Sequence, residues 1–239
     1  MKTLLIIEMG VPPLSVHQKC GSHADWFTSA LQPLAGKMST PVCRPYLGET
    51  LQEPASLGGA IITGSWSMVT DQEGWSEYTA QWFRTAMQAQ LPVFGVCYGH
   101  QLMAHALGGT IGDNPKGLEI GTRTITLDTT AQTDPLLSQH AQTFDAYLLH
   151  QQSVLEPPAG AVSLATSDLD RHQILRYAPN TYSVQFHPEF SEAVMRASIE
   201  DLARAPGHGA EHTPIAAQTP FSRQILLNFC DIVLTAHQN

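Results

Sequence analysis

Positive charge is scarce in this chain: 12 Lys and Arg stand against 21 Asp and Glu in 239 residues, a formal net charge of −9. The basic residues are scattered without a patch, which argues against a nucleic-acid or anionic-membrane surface. Charge of either sign is modest at 14%, whereas apolar residues reach 43%; that balance belongs to a globular protein and not to a disordered one. Cysteine is limited to Cys20, Cys43, Cys97 and Cys230, with no Cys-x-x-Cys spacing, so nothing points to an oxidising compartment. No apolar run reaches membrane-spanning length. The opening "MKTLLIIEMG" lacks the long apolar core and small-residue cleavage site of a secretory leader and reads as a first strand. The cytoplasm is the expected compartment. Repeats and low-complexity linkers are also missing, and the length suits one α/β domain over residues 1–239.

What is present is an alternation of strand and helix patterns. Leu4 to Glu8, Pro41 to Tyr46 (weaker), Gly59 to Thr63 and Leu91 to Val96 read as strands. A Pro-rich loop is expected after the first, then a helix around Ala24 to Leu34. "EGWSEYTAQWFRTAMQAQ" places Trp75, Tyr78, Trp82, Phe83 and Met87 on one helical stripe, expected to pack in the core. This order predicts a mostly parallel central sheet covered by helices on both faces, a flavodoxin-like layout. After Thr122 the pattern changes to shorter strands, "TRTITLD", "TFDAYLL", "AVSLATS" and "QILRYAPNTYSVQF", with "APNT" as a hairpin turn.

The stretch "LPVFGVCYGHQLMAHALGG" (residues 91–109) carries the chemistry. A buried strand runs directly into a helix, expected from Gln101 and closed by Gly108-Gly109. The sharp bend falls on Cys97, and Gly95 and Gly99 remove side chains that would collide there. Gly-x-Cys-x-Gly is the cysteine form of a nucleophile elbow. The bend pushes the sulfur out of the sheet and aims the helix's first amides at it, an arrangement that favours a thiolate. A lone cysteine would read as a buried structural residue; the paired glycines at a strand–helix junction reverse that reading.

A nucleophilic thiol calls for a histidine beside it. His100 and His105 lie on the following helix and read as core or surface residues. His208 and His212 have His-x-x-x-His spacing in "APGHGAEHTP", but no third ligand accompanies them, so no metal site is expected. His187 ends the strand "NTYSVQF" and is followed by Pro188 and Glu189. In extended backbone, residues two apart point to the same side, so Glu189 can reach the far nitrogen of His187, and Pro188 stiffens the link. A carboxylate there would orient the imidazole and stabilise its charged form. For an oxyanion, one donor would be the Tyr98 amide; the other would come from "TGS" at residues 63–65, where Gly64 lets the backbone turn. Histidine precedes the acid here, opposite to the order of the α/β-hydrolases.

Taken together, "GVCYGHQ", "TGS" and "VQFHPEF" resemble the class I glutamine amidotransferases, and the resemblance runs over nearly the whole chain. It implies the family's α/β fold and a Cys97–His187–Glu189 triad that opens a glutamine side-chain amide through a thioester. It implies oxyanion-hole amides at Ser65 and Tyr98, and substrate contacts at Gly64, Gln101, Gln151 and Gln152. No cofactor is implied. The overall style is closest to stand-alone, GMP-synthase-like members; a separate ammonia-accepting synthetase is an implied partner, since no such domain fits within 239 residues. Three departures stand out. Thr63-Gly64-Ser65-Trp66 replaces the usual Ser-Gly-Gly-Pro, His150-Gln151-Gln152 replaces His-x-Asp, and residues 191–219 insert a helix and a Pro/Gly/His loop before the last helix, "FSRQILLNFCDIVL". The first two leave room for a γ-glutamyl peptidase acting on a bulkier substrate. An idle triad in a binding or regulatory module is the third possibility, against which all three triad residue types are present.

Overall fold

The computed structural model describes residues 1–137, 141–204 and 215–236. Its elements run β1 (Lys2–Ile7), α1 (Leu14–Cys20), α2 (His23–Ala30), β2 (Met38–Ser39), β3 (Val42–Cys43), β4 (Gly59–Ile62), α3 (Gly74–Gln88), β5 (Val93–Val96) and α4 (Tyr98–Ala106). The second half continues with β6 (Thr110–Asp113), β7 (Glu119–Leu127), β8 (Thr143–His150), β9 (Gln152–Glu156), β10 (Val162–Thr166), β11 (Ile174–Ala178), β12 (Thr181–Val184), α5 (Glu192–Leu202) and α6 (Pro220–Thr235).

The main sheet has the order β2-β1-β4-β5-β12-β11-β10-β7-β8, with β3 also pairing β1. From β2 to β12 the pairing is parallel; from β12 to β8 it is antiparallel. Successive side chains of β1 enter opposite cores, which is why "LLII" is a continuous apolar run and not an alternating one. Leu4 and Ile6 pack with Phe27 of α2 and Ile225 and Phe229 of α6; Leu5 and Ile7 pack with Phe83 of α3 and Leu102 and Met103 of α4. β6 and β9 form a separate two-stranded ribbon. Among the described residues, no helix is long and apolar enough to cross a membrane.

Several expected elements are displaced. The stretch expected as a Pro-rich loop contains α1, whose Val16 joins a third apolar cluster with Trp26, Phe190, Val194 and Met195. The helix expected to reach Leu34 ends at Ala30 and tightens into a short 3-10 turn, Gln32–Leu34, because Pro33 cannot donate the bond that would continue it. The weak strand at Pro41 to Tyr46 shrinks to Val42–Cys43, cut off by Pro45. Tyr78 leaves the expected core stripe and is exposed, using its hydroxyl to accept the Leu51 N–H. The strands after Thr122 include the two longest, β7 and β8, which pair over eight positions. The hairpin at "APNT" turns through Pro179 and Asn180 as expected. The helix expected within residues 191–219 is α5, capped by the Ser191 hydroxyl accepting the Val194 N–H; most of the loop beyond it, with His208 and His212, lies outside the described residues.

Candidate active site

Parallel strands bring their carboxyl ends to one edge of the sheet, and four connections leaving that edge build a single cleft. β5 delivers Cys97, β4 delivers Gly64 and Ser65, β12 delivers His187, and the connection after β1 delivers His23 at the start of α2. Cys97, Ser65, His187 and His23 line one cavity, together with Trp66, Met68, Tyr98, Gln101, Leu118, Leu149, His150, Gln151, Gln152 and Leu202.

Cys97 has φ +51° and ψ −101°, a conformation that costs free energy for any residue with a side chain. The helix begins at Tyr98, three residues earlier than the sequence pattern suggests, so the sulfur stands at the very start of α4. The elbow is possible only because its flanks are glycines. A Cβ on Gly95 would lie 2.4 Å from Met103 Sδ, and one on Gly99 would lie 2.3 Å from the Ile62 carbonyl oxygen. The sulfur is within 3.7 Å of the Leu149 carbonyl oxygen, on β8.

His187 is buried and bonded through Nδ1 to Glu189 Oε1 at 2.8 Å, as the His-Pro-Glu spacing requires. Its ring face stacks on Phe190, with ring centroids 3.9 Å apart. Burial opposes a charge on this ring, but Glu189, together with the charge and hydrogen bond of Cys97, more than offsets it; the imidazole pKa is raised to about 10. At neutral pH the ring is therefore an imidazolium between a carboxylate and a sulfur.

Gly64 closes the third side. A Cβ there would stand 3.1 Å from His187 Cε1 and 3.7 Å from Cys97 Cβ. Its carbonyl oxygen accepts a hydrogen bond from Thr63 Oγ1 at 2.9 Å, and the same Oγ1 accepts the Met9 N–H at 3.0 Å, on the β1 side of β4. Thr63's own carbonyl points the other way, accepting the Gly99 N–H on the α4 side. The Gly64–Ser65 peptide is trans, so its N–H points away from the side on which Thr63 holds the Gly64 oxygen. Tyr98 takes part through its backbone: its hydroxyl is buried against Ser76 Oγ at 2.6 Å. As the first residue of α4, its N–H has no intrahelical acceptor.

Of the residues expected to contact substrate, Gln101, Gln151 and Gln152 line the cavity and differ in character. Gln101 Nε2 donates to the Gln152 carbonyl at 2.7 Å and to Gln185 Oε1 at 3.0 Å, bracing the wall. Gln151 has an exposed side chain. Gln152 is buried, donates to Thr70 Oγ1 at 2.8 Å, and leaves its Oε1 without a partner. His100 is a core residue whose Nδ1 meets Ser183 Oγ at 2.7 Å, and His105 pairs with Glu77 at 2.8 Å.

Two features were not read from the sequence. His150 is fixed by Glu119 at 2.8 Å through Nε2 and by the Gln152 carbonyl at 2.9 Å through Nδ1, holding the turn that carries the two glutamines. Glu119, His150 and Asp170 bring three potential ligand atoms within 4.8 Å. Glu119 already accepts from Ser167 and Gln173 besides meeting His150 directly, whereas Asp170 accepts the His172 N–H through Oδ1 and leaves Oδ2 without a partner. The second feature is His23, fully buried, with Nδ1 3.2 Å from the Gly10 carbonyl and Nε2 without a partner. Only its position one residue after the Ser22 cap of α2 could have hinted at it.

Comparison with known proteins agrees with this geometry. The family model described as glutamine amidotransferase class-I matches residues 47–202. Gamma-glutamyl peptidase 5 of Arabidopsis thaliana is 29% identical over 144 residues, 59% of this chain and 57% of that protein. A glutamine-hydrolyzing GMP synthase subunit of Ignicoccus hospitalis is 39% identical over 99 residues, 41% of this chain and 50% of that one. The matches thus span little more than half the length of these two relatives. Among solved structures, the glutamine amido transferase from Methylobacillus flagellatus superposes with a TM-score of 0.75 at 21% identity, covering 97% of this chain and 95% of that one. A glutamine amidotransferase from Thermotoga maritima gives 0.74 at 16%, covering 98% and 99%. At such identities the structures speak for the fold, and the family model speaks for descent: the chain belongs to the class I glutamine amidotransferase family.

Proposed function

We propose that this chain is a cysteine-nucleophile hydrolase of γ-glutamyl amides, with glutamine the smallest substrate and glutamate and ammonia its products. The observation that carries the reading is the elbow cysteine at φ +51° sharing one cavity with an imidazole held by Glu189 at 2.8 Å. Cys97 Sγ attacks the γ-carbonyl carbon, and the carbonyl oxygen becomes an oxyanion between the Ser65 and Tyr98 N–H groups. As the intermediate collapses, the C–N bond breaks and His187 gives its proton to the departing nitrogen. His187 then takes a proton from water, which attacks the thioester; the C–S bond breaks, glutamate leaves, and the sulfur of Cys97 is free again with the proton back on His187. Glu189 orients the ring and stabilises its charge without taking the proton.

The Thr63 contact supports a hole that is formed in the free chain. The reaction then needs no partner to start it, and a synthetase, if one is served, receives the ammonia without switching the site on. Incubation of the purified chain with glutamine tests the reading. Ammonia release, together with a γ-glutamyl adduct on Cys97 by mass spectrometry, is the expected result. Acylation of Cys20, Cys43 or Cys230 instead, or no acylation with glutamine or with γ-glutamyl dipeptides, would point to the idle-triad alternative.

A further inference from the structure

His23 lines the cavity, and the reaction above leaves its chemistry unused. Its Nδ1 lies against the Gly10 carbonyl, an acceptor, so Nδ1 carries the hydrogen and Nε2 presents a lone pair. Burial, reinforced by the positive charge of His187, lowers its pKa to about 3, against the opposing bond to Gly10. The ring is therefore neutral at physiological pH, and Nε2 is a buried acceptor without a donor. Buried polar atoms of this kind are rare unless a ligand or water completes them.

Its neighbours are apolar. The ring sits 4.8 Å from Trp26 and 5.4 Å from Trp66, centroid to centroid, and Trp26 in turn meets Phe190, which stacks on His187. Trp66, Leu118, Leu149 and Leu202 form the partly buried rim of this cluster, and all four line the cavity. The proton that His187 delivers goes to the leaving nitrogen, so the leaving group lies on the His187 side of the acyl carbon. Gln101, Gln151 and Gln152 line the same cavity and are available to the glutamyl end. Ammonia has no use for a rim of one tryptophan and three leucines.

We propose that His23, Trp66, Leu118 and Leu202 form a subsite for the leaving amine of a γ-glutamyl amide that carries an aliphatic or aromatic substituent, with His23 Nε2 accepting a hydrogen bond from that amine. This rests on the hydrolase reading and names its substrate class. The bonds made and broken are those given above, with R–NH₂ leaving in place of ammonia. Leu202 comes from α5 and Trp66 from the Thr-Gly-Ser-Trp segment after β4, so two separate parts of the chain supply the apolar rim.

The experiment compares γ-glutamyl-leucine with glutamine as substrates of the intact chain and of Leu202→Asp, a rim change that leaves the core untouched. Burying one leucine side chain is worth about ten- to a hundredfold in affinity. The expected kcat/KM ratio of γ-glutamyl-leucine to glutamine is therefore tenfold or more, dropping at least tenfold in Leu202→Asp. A ratio near one, or a ratio that Leu202→Asp does not move, overturns the subsite. If neither compound is cleaved the hydrolase reading has failed, and the subsite is judged by calorimetry on Cys97→Ala. At least tenfold tighter binding of γ-glutamyl-leucine than of glutamine, lost when Leu202→Asp is added, upholds it. Equal or absent binding removes it. His23→Gln, which keeps an acceptor, retains more of the preference than His23→Leu; equal loss in the two would exclude the proposed hydrogen bond.

Discussion

Replacing Thr63 by valine removes a single hydroxyl from a site with no solvent exposure and keeps the side-chain shape. That hydroxyl donates to the Gly64 carbonyl at 2.9 Å and accepts the Met9 N–H at 3.0 Å. Two separate effects follow. The Met9 N–H is left buried and unpaired, which costs about 1–3 kcal/mol of stability and lowers the melting temperature by roughly 2–4 °C per kcal/mol at this chain length. The Gly64–Ser65 peptide also loses the contact that holds its oxygen toward β1. A net hydrogen bond of about 1–1.5 kcal/mol shifts a two-state orientation by roughly tenfold, and complete loss of one oxyanion donor costs about 10²–10³ in kcat. The expected result for Thr63→Val is therefore a kcat lower by up to about tenfold with KM within about twofold, because the donor acts on charge that exists only in the transition state. Thr63→Ser keeps the hydroxyl and should stay within about threefold of the parent. Steady-state kinetics with glutamine or γ-glutamyl-leucine and a melting curve measure the two effects independently. A Thr63→Val protein with lowered melting temperature and unchanged kcat would refute the idea that this hydroxyl sets the peptide. Equal losses in Ser and Val would trace the effect to packing.

Cys97→Ala should abolish turnover while leaving the fold and substrate binding in place, since a smaller side chain at the elbow disturbs little packing; circular dichroism and calorimetry check this beside the activity assay. His187→Ala should lose about as much as Cys97→Ala, and the double variant no more, because the two act as a unit; additive losses would mean two independent sites. The His187 imidazolium is favoured by the fold, so its stabilising contribution is complete below about pH 6.5 and fades as the pH rises through about 10. The alkaline limb of kcat/KM should fall near that upper value. Glu189→Gln removes the largest pull on the proton and should move that limb down by at least about one pH unit, each unit being 1.36 kcal/mol; an unmoved limb would dissociate Glu189 from His187. Gly64→Ala places a methyl group 3.1 Å from His187 Cε1 and should lower activity well before it lowers the melting temperature. Gly99→Ala, 2.3 Å from the Ile62 carbonyl oxygen, should prevent folding of the elbow and fail in expression or melting assays.

Taken alone, the sequence determined the features that depend on short range. Gly95-Val96-Cys97-Tyr98-Gly99 dictates an elbow because no side chain fits at its two ends; the short His187-Pro188-Glu189 spacing signals a histidine–carboxylate pair, although the chain makes it through a turn, with the Phe190 N–H reaching the His187 carbonyl, and not through the expected extended backbone. The alternating strands and helices, with apolar runs such as Leu4 to Ile7, required a sheet buried on both faces. Prolines account for two of the boundary errors, since Pro33 and Pro45 end elements that the apolar pattern alone would extend. Tertiary structure decided what depends on residues distant in the chain. That β12 inserts beside β5, bringing position 187 to position 97, is a matter of strand order, which no local pattern encodes. The hydroxyl of Thr63 gains meaning only because Met9 lies across β4 from the elbow, and the lone pair of His23 only because Gly10 takes its other nitrogen. Likewise, Trp66, Leu118 and Leu202 come from three separate segments, and only packing makes them one wall. Backbone sterics act within a few residues and can be read along the chain; hydrogen-bond partners and cavity walls are chosen by packing across it.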